Sequence, residues 1–167
     1  MIRLSAEEDL PFLTAVERSA AQIFVRHFDN DTSCAERTLA PETLLESHRN
    51  ESLWVALDAE TIVAFLAATN IDAGFHIQEI SVAFDHQGRG IGEKLVQALV
   101  AEANRRNHGQ ISLTTDRRLP WSRHLYRKLG FQECPLENCP ADLADILRRD
   151  KKASPVVEDR IAMILGV

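Results

Sequence analysis

The sequence predicts an α/β fold: an antiparallel meander that leads into a β-α-β unit. Three observations carry that expectation. Leu53 to Leu57 and Thr61 to Thr69 are apolar runs joined by Asp58-Ala59-Glu60, the pattern of a strand hairpin. Gln87-Gly88-Arg89-Gly90-Ile91-Gly92 lies between a candidate strand at 77 to 83 and a candidate helix at 90 to 107. A third strand candidate, Ile111 to Thr115, follows that helix and completes the unit. The 167 residues are expected to form one domain, spanning 1 to 167, long enough to bury a core.

The remaining elements follow in order. Ile2 to Leu4 is a short strand. Asp9, Leu10 and Pro11 open a helix, with proline in the tolerated first turn. Phe12, Val16, Ala20 and Phe24 recur every four residues and mark its expected apolar face. His27 to Ala40 is polar and irregular, a loop or broken helix, and Pro41 starts a short helix with Leu44 and Leu45 inward. After the hairpin, Asn70 to Gly74 turns the chain into a strand from Phe75 to Phe84, where Ile80, Val82 and Phe84 alternate with Glu79 and Ser81. The helix from Gly90 presents Ile91, Leu95, Ala98, Leu99 and Ala103 on one side and stops at Asn107-His108-Gly109. A helix begins at Pro120 or Trp121 and ends at Gly130, and Phe131 to Glu133 begins another strand. Pro140 to Lys152 is an amphipathic helix, and Arg160 to Leu165 is a final strand.

Composition narrows the function. The longest apolar runs, such as Thr61 to Ala68, are too short to span a bilayer, and the first residues lack an apolar core of signal-peptide length. Three cysteines are an odd number for a disulfide framework, and Cys134 and Cys139 lack zinc-site spacing, so no metal is expected. These features predict a cytoplasmic protein with reduced thiols and no membrane partner. The net charge of −6 argues against nucleic acid. It is unevenly spread: residues 1 to 80 hold five basic and fourteen acidic side chains, residues 81 to 130 nine basic and four acidic. The basic third contains the glycines, which suits a small polyanion.

Glycine lets a backbone approach a ligand closely and take positive φ. The helix that follows begins with unpaired N–H groups and a positive dipole end. Together they make a site for phosphate or pyrophosphate, with Arg89 and Lys94 adding charge. A Walker loop needs G-x-x-x-x-G-K-[ST], which Gly92-Glu93-Lys94 does not supply. A dinucleotide fingerprint needs G-x-G-x-x-G, and Glu93 stands at its third glycine. Asp116 does lie at roughly the distance of a ribose-binding acid, so a nucleotide-dependent oxidoreductase of Rossmann type stays open on these residues.

The pattern Q-x-x-G-x-G at 87 to 92, on a strand–loop–helix, resembles the pyrophosphate-binding signature of the GNAT (Gcn5-related N-acetyltransferase) superfamily. His124-Leu125-Tyr126-Arg127-Lys128-Leu129-Gly130-Phe131 is similar to its second motif. Leu113-Thr114-Thr115, Pro120-Trp121 and Arg160-x-x-Met163 resemble one bacterial branch, so the likeness covers nearly the whole chain. That branch usually reads W-N-A-P-F-Y where this chain has Trp121-Ser122-Arg123-His124-Leu125-Tyr126, and Ser122 would stand in for the asparagine. The resemblance implies a mixed, mostly antiparallel central sheet flanked by helices, with a central β-α-β unit that binds acetyl-CoA. It implies an N-acetyltransferase that passes the acetyl group directly to an amine, more readily a small molecule than a protein. It leaves room for a homodimer, and a non-catalytic CoA-binding or sensor module is the other outcome.

On that pattern the cofactor would pair with main chain at Ile80, Ser81 and Val82. Its pyrophosphate would sit on Gln87, Gly88, Arg89, Gly90, Ile91 and Gly92, with further contacts from Ser122, Leu125 and Tyr126. Tyr126, the sole tyrosine, would give a proton to the departing thiolate. A phenol near 10 and a thiol near 8.5 make that transfer nearly balanced. Glu79 would take the proton of the amine, with His76 as the alternative base. Glu17 and Phe24 would line the acceptor side, in a half of the chain rich in acids that include Asp29, Asp31 and Glu36.

Overall fold

The hairpin foreseen at 53 to 69 is apolar on both faces, and both are buried. It comprises β2 (Leu53–Asp58) and β3 (Thr61–Ile71). The structure, a computed structural model, describes residues 1–27, 38–153 and 159–167. The other strands are β1 (Ile2–Leu4), β4 (Gly74–Val82), β5 (Gln110–Asp116), β6 (Gln132–Cys134) and β7 (Arg160–Gly166). They hydrogen-bond in the order β1-β2-β3-β4-β5-β7-β6. The helices are α1 (Leu10–Ala20), α2 (Gln22–His27), α3 (Pro41–Arg49), α4 (Ile91–Arg105), α5 (Pro120–Lys128) and α6 (Ala141–Ala153). The chain divides into two compact units, Met1–Thr69 with Gln78–Leu99, and Asn70–Ile77 with Val100–Val167.

In the first unit, β1 and β3 each pair antiparallel with β2. The register sets Leu53 opposite Ala67 and Val55 opposite Phe65. These four residues pack with Leu13 and Val16 of α1 and Leu44 of α3 in one cluster. The alternate residues Trp54, Ala56, Ala64 and Leu66 are buried as well. Strands covered on both faces read as continuous apolar runs rather than alternating ones. The first helix differs from expectation. Phe12 is 61% exposed, and the inward face is Leu13, Val16, Glu17 and Ala20, with a break at Ala21 before α2. A polar residue on that face had shifted the apparent period by one position. Ser81 is buried, while Ile80 and Val82 are only half-buried, the reverse of the alternation expected for β4.

In the second unit, β4 pairs parallel with β5 from Gly74–Gln110 to Ile77–Leu113. β5 pairs antiparallel with β7 along its whole length, and β7 pairs antiparallel with β6. An antiparallel partner for β5 is incompatible with the all-parallel doubly wound sheet of the Rossmann alternative. Gly74 sits where backbones meet most closely. Its φ is +146°, and a Cβ there would stand 2.0 Å from the Gln110 carbonyl oxygen, so only glycine fits. Leu143 and Leu147 of α6 pack on Ala162 of β7, with Cys134, Cys139 and Ile164 around them.

Candidate active site

The glycine segment follows β4 after a 3-10 turn at Phe84–His86. Gly88 and Gly90 adopt φ of +73° and +74°, conformations that side chains disfavour. A Cβ at either position would have no protein atom within 4 Å, so the loop's outer surface is open to a ligand. The Gly90 carbonyl accepts the Lys94 N–H at 3.2 Å, which places Gly90 immediately ahead of the first turn of α4. The N–H groups of that turn have no partner within the helix, the arrangement that attracts anions. The Gln87 side chain does not face outward for this purpose. Its amide donates to the carbonyls of Val82 at 3.0 Å and Ala20 at 3.2 Å, pinning the loop entrance to β4 and α1. The exposed Arg89 guanidinium donates to the Asp85 carbonyl.

Along β4, the Ser81 hydroxyl donates to a Glu79 carboxylate oxygen at 2.8 Å. The Phe84 N–H donates to the Ser19 hydroxyl at 3.1 Å, so the end of α1 is tied to the chain just past β4. Two residues back on α1, Glu17 is 7% exposed, and both its oxygens accept the Leu39 N–H, at 3.0 and 3.1 Å. Burial first, and then the charge of Glu79, push its carboxyl up to about 7. Sequence reasoning had Glu17 at the acceptor side but missed Ser19. The available signal was Glu17 and Ser19 flanking Arg18 in the last turn of α1. Asp29, Asp31 and Glu36 lie outside the described residues.

Glu17 makes stability depend on pH with a definite sign. Its folded-state value lies above the ordinary 4.5, so the native state holds a proton that the unfolded chain has released. The stabilisation is complete below about 4.5 and is lost as pH rises through about 7. A shift of that size corresponds to roughly 3 kcal/mol. His76 acts in the opposite sense, since burial holds it down at about 4, and its contribution is lost as pH falls from 6.5. The two slopes nearly cancel over the shared range. Denaturant melts of Glu17→Gln minus wild type, taken from pH 4 to 8, are therefore expected to show the variant gaining up to about 3 kcal/mol. A flat difference would mean that Glu17 titrates normally.

In the second unit, Tyr126, Ser122 and Leu125 share one side of α5. Tyr126 is 6% exposed, and its ring meets Phe131 edge-on at 5.6 Å. The helix stops because Gly130 takes φ +93° and the Phe131 N–H turns back to the Tyr126 carbonyl at 2.9 Å. That closure explains the Leu129-Gly130-Phe131 sequence. His76 is buried, with Nδ1 3.0 Å from the Ser112 hydroxyl. Asp116, the ribose-binding candidate of the Rossmann reading, binds Arg118 through both oxygens. The Cys139 thiol is pushed up to about 12 by burial and by Cys134, which leaves it a poor nucleophile. Among the described residues, no group of three or more His, Cys, Asp or Glu is placed to hold a metal, and no helix is long and apolar enough to cross a membrane.

These features define an α/β protein whose mixed sheet feeds a glycine-cradled helix start. The sequence model of the acetyltransferase (GNAT) domain family matches residues 49–133, from the end of α3 into β6. The chain belongs to that acetyltransferase family. It is 30% identical over 95 residues to the probable N-acetyltransferase camello of Xenopus tropicalis, a match covering 55% of this chain and 43% of that protein. Among solved structures it resembles the PaiA N-acetyltransferase of Thermoplasma acidophilum in complex with coenzyme A, with a TM-score of 0.77 at 14% identity over 100% of this chain and 98% of that one. It also resembles the ribosomal-protein-S18-alanine N-acetyltransferase of Escherichia coli, with a TM-score of 0.71 at 19% identity over 100% and 93%.

Proposed function

We propose that this chain is an acetyl-CoA-dependent N-acetyltransferase that passes the acetyl group directly to an amine. One observation carries the reading: within a chain of this family, Gly88 and Gly90 hold positive φ with open space above them at the start of α4. The cradle fits a pyrophosphate, because a backbone without Cβ atoms can bring several N–H groups against it. Acetyl-CoA supplies the activated thioester when bound. The main chain of Gly88 to Gly92 holds the phosphates, and the backbone of Ile80, Ser81 and Val82 aligns the acyl arm. Alignment of the reacting groups is the largest contribution. Glu79 takes the proton from the incoming ammonium, with Ser81 fixing its carboxylate. His76, held down at about 4 and bonded to Ser112, is a weaker acceptor at neutral pH. The Tyr126 hydroxyl gives its proton to the departing sulfur, with Ser122 and Leu125 beside it on α5. The free thiols of Cys134 and Cys139 support a reducing compartment such as the cytoplasm.

The acceptor is a small cationic amine on this reading. The acidic excess of residues 1 to 80 and the buried Glu17 support it. Turnover of acetyl-CoA should be measured against amines, polyamines, amino acids and peptide N-termini. kcat/KM is expected to rise with positive charge on the acceptor and to fall as salt screens the site. A salt-insensitive preference for neutral or anionic acceptors would overturn the cationic assignment. Cofactor binding with no turnover across the panel would identify a CoA-binding module instead.

A further inference from the structure

Where α5 meets β6, positive charge outweighs negative. Arg123 and Arg127 are one turn apart on α5, and Arg117 directly follows the end of β5. All three guanidiniums converge on one carboxylate, that of Glu133 in the middle of β6. Arg117 donates to its Oε2 at 3.2 Å, while Arg123 and Arg127 donate to Oε1 at 3.3 and 3.4 Å. Charge-assisted N–H···O bonds usually close to about 2.7–2.9 Å, so Glu133 is spread over three partners and tight to none. Arg118 next to them differs, since Asp116 and Asp159 both pair with it. Arg123 carries a second sign of a missing acceptor: its Nε is buried and has no hydrogen-bond partner among the described residues. Arg117 and Arg127 are exposed, so a ligand can reach the group from solvent.

We propose that Arg117, Arg123 and Arg127 form a binding site for a phosphate dianion, as inorganic phosphate or as a phosphate monoester. Three cations facing one carboxylate leave two positive charges uncompensated, which matches that ligand. Its oxygens accept from several guanidiniums at once, and the planar fork of arginine suits them. A single carboxylate would repeat what Glu133 supplies and leave the cluster positive. An extended acidic peptide has little main chain to bond, because β6 is the last strand of the sheet and has three residues. The net charge of −6 works against a nucleic acid strand. The site is built from α5, β6 and the chain after β5, and it stands whether or not the protein transfers acetyl groups.

The probe is inorganic phosphate, titrated calorimetrically at about pH 8, where it is mostly the dianion. Wild type, Arg123→Gln, Arg127→Gln and Glu133→Gln are compared at constant ionic strength set with chloride. Removing one guanidinium is expected to weaken phosphate roughly 10- to 100-fold, the worth of a hydrogen bond between charged groups. Glu133→Gln removes the competing carboxylate and is expected to bind phosphate more tightly. Arg127 is exposed, so its replacement leaves the packing of α5 in place should Arg123→Gln fold poorly. The titrations are repeated with coenzyme A at saturation, which fills the glycine cradle on the proposed function. Arginine-dependent phosphate binding that survives coenzyme A supports the site and assigns it to a separate phosphorylated molecule. Arginine-dependent binding that coenzyme A abolishes supports the site and assigns it to a phosphate of the cofactor. Equal phosphate affinity in wild type and Arg127→Gln, or no tightening in Glu133→Gln, would overturn it.

Discussion

Tyr126→Phe is expected to fold, bind acetyl-CoA and lose about 10²- to 10⁴-fold in kcat, the usual worth of a positioned general acid. The ring is what α5 packs: it is buried and set edge-on against Phe131. Phenylalanine keeps that contact and removes one hydroxyl. The main-chain closure at Gly130 and Phe131 does not involve the hydroxyl either. The loss should therefore fall on kcat, with the KM for acetyl-CoA nearly unchanged. It should be larger for thiol leaving groups of high pKa than for activated ones that need no proton. Wild-type kcat in Tyr126→Phe with a good acceptor would assign Tyr126 to packing and the proton to another donor.

Gly90→Val is expected to abolish stabilisation by acetyl-CoA. Free cofactor at a thousand times its dissociation constant adds about 4.1 kcal/mol to the native state. Valine at φ +74° is strained, by about 1–3 kcal/mol, and this lowers the Tm of the free protein. The informative quantity is the difference with and without cofactor. An added Cβ meets no protein atom within 4 Å, so it projects into the space above the loop, where the pyrophosphate is proposed to sit. An undiminished cofactor shift in Gly90→Val would move the phosphate site elsewhere.

Much of the fold could be read in the sequence wherever one local signal dominated. The hairpin, α4, β5, α6 and β7 fall within a residue or two of their expected bounds, because glycine, proline and long apolar runs punctuate them. The first helix was misread because Glu17 occupies an inward position, and a period of four through Phe12 looked as regular as the true face through Leu13. A buried acid is invisible to a pattern built on apolar residues. The burial of Ser81 was hidden for the same reason, since its partner Glu79 is on the same strand. The positive φ of Gly88 and Gly90 was legible from the residues themselves, since glycine takes that conformation without strain. The stitch from Gln87 to Ala20 was not, because it joins segments 67 residues apart. The pairing of His76 with Ser112 likewise depends on a parallel register that no local spacing announces.

The position of β7 has a consequence for how the chain is made. It is the last strand in sequence, yet it lies between β5 and β6 and bonds to both. During synthesis, β5 and β6 emerge early and wait with unpaired edges until residues 160–166 leave the ribosome. Open edges of that kind recruit other chains. α6, which packs on Ala162, has no apolar floor until then either. Nascent chains stalled before residue 160 should therefore be protease-sensitive from β6 onward while β1 to β3 are already protected. The second unit would then close in a single late event, like a zip drawn from its far end.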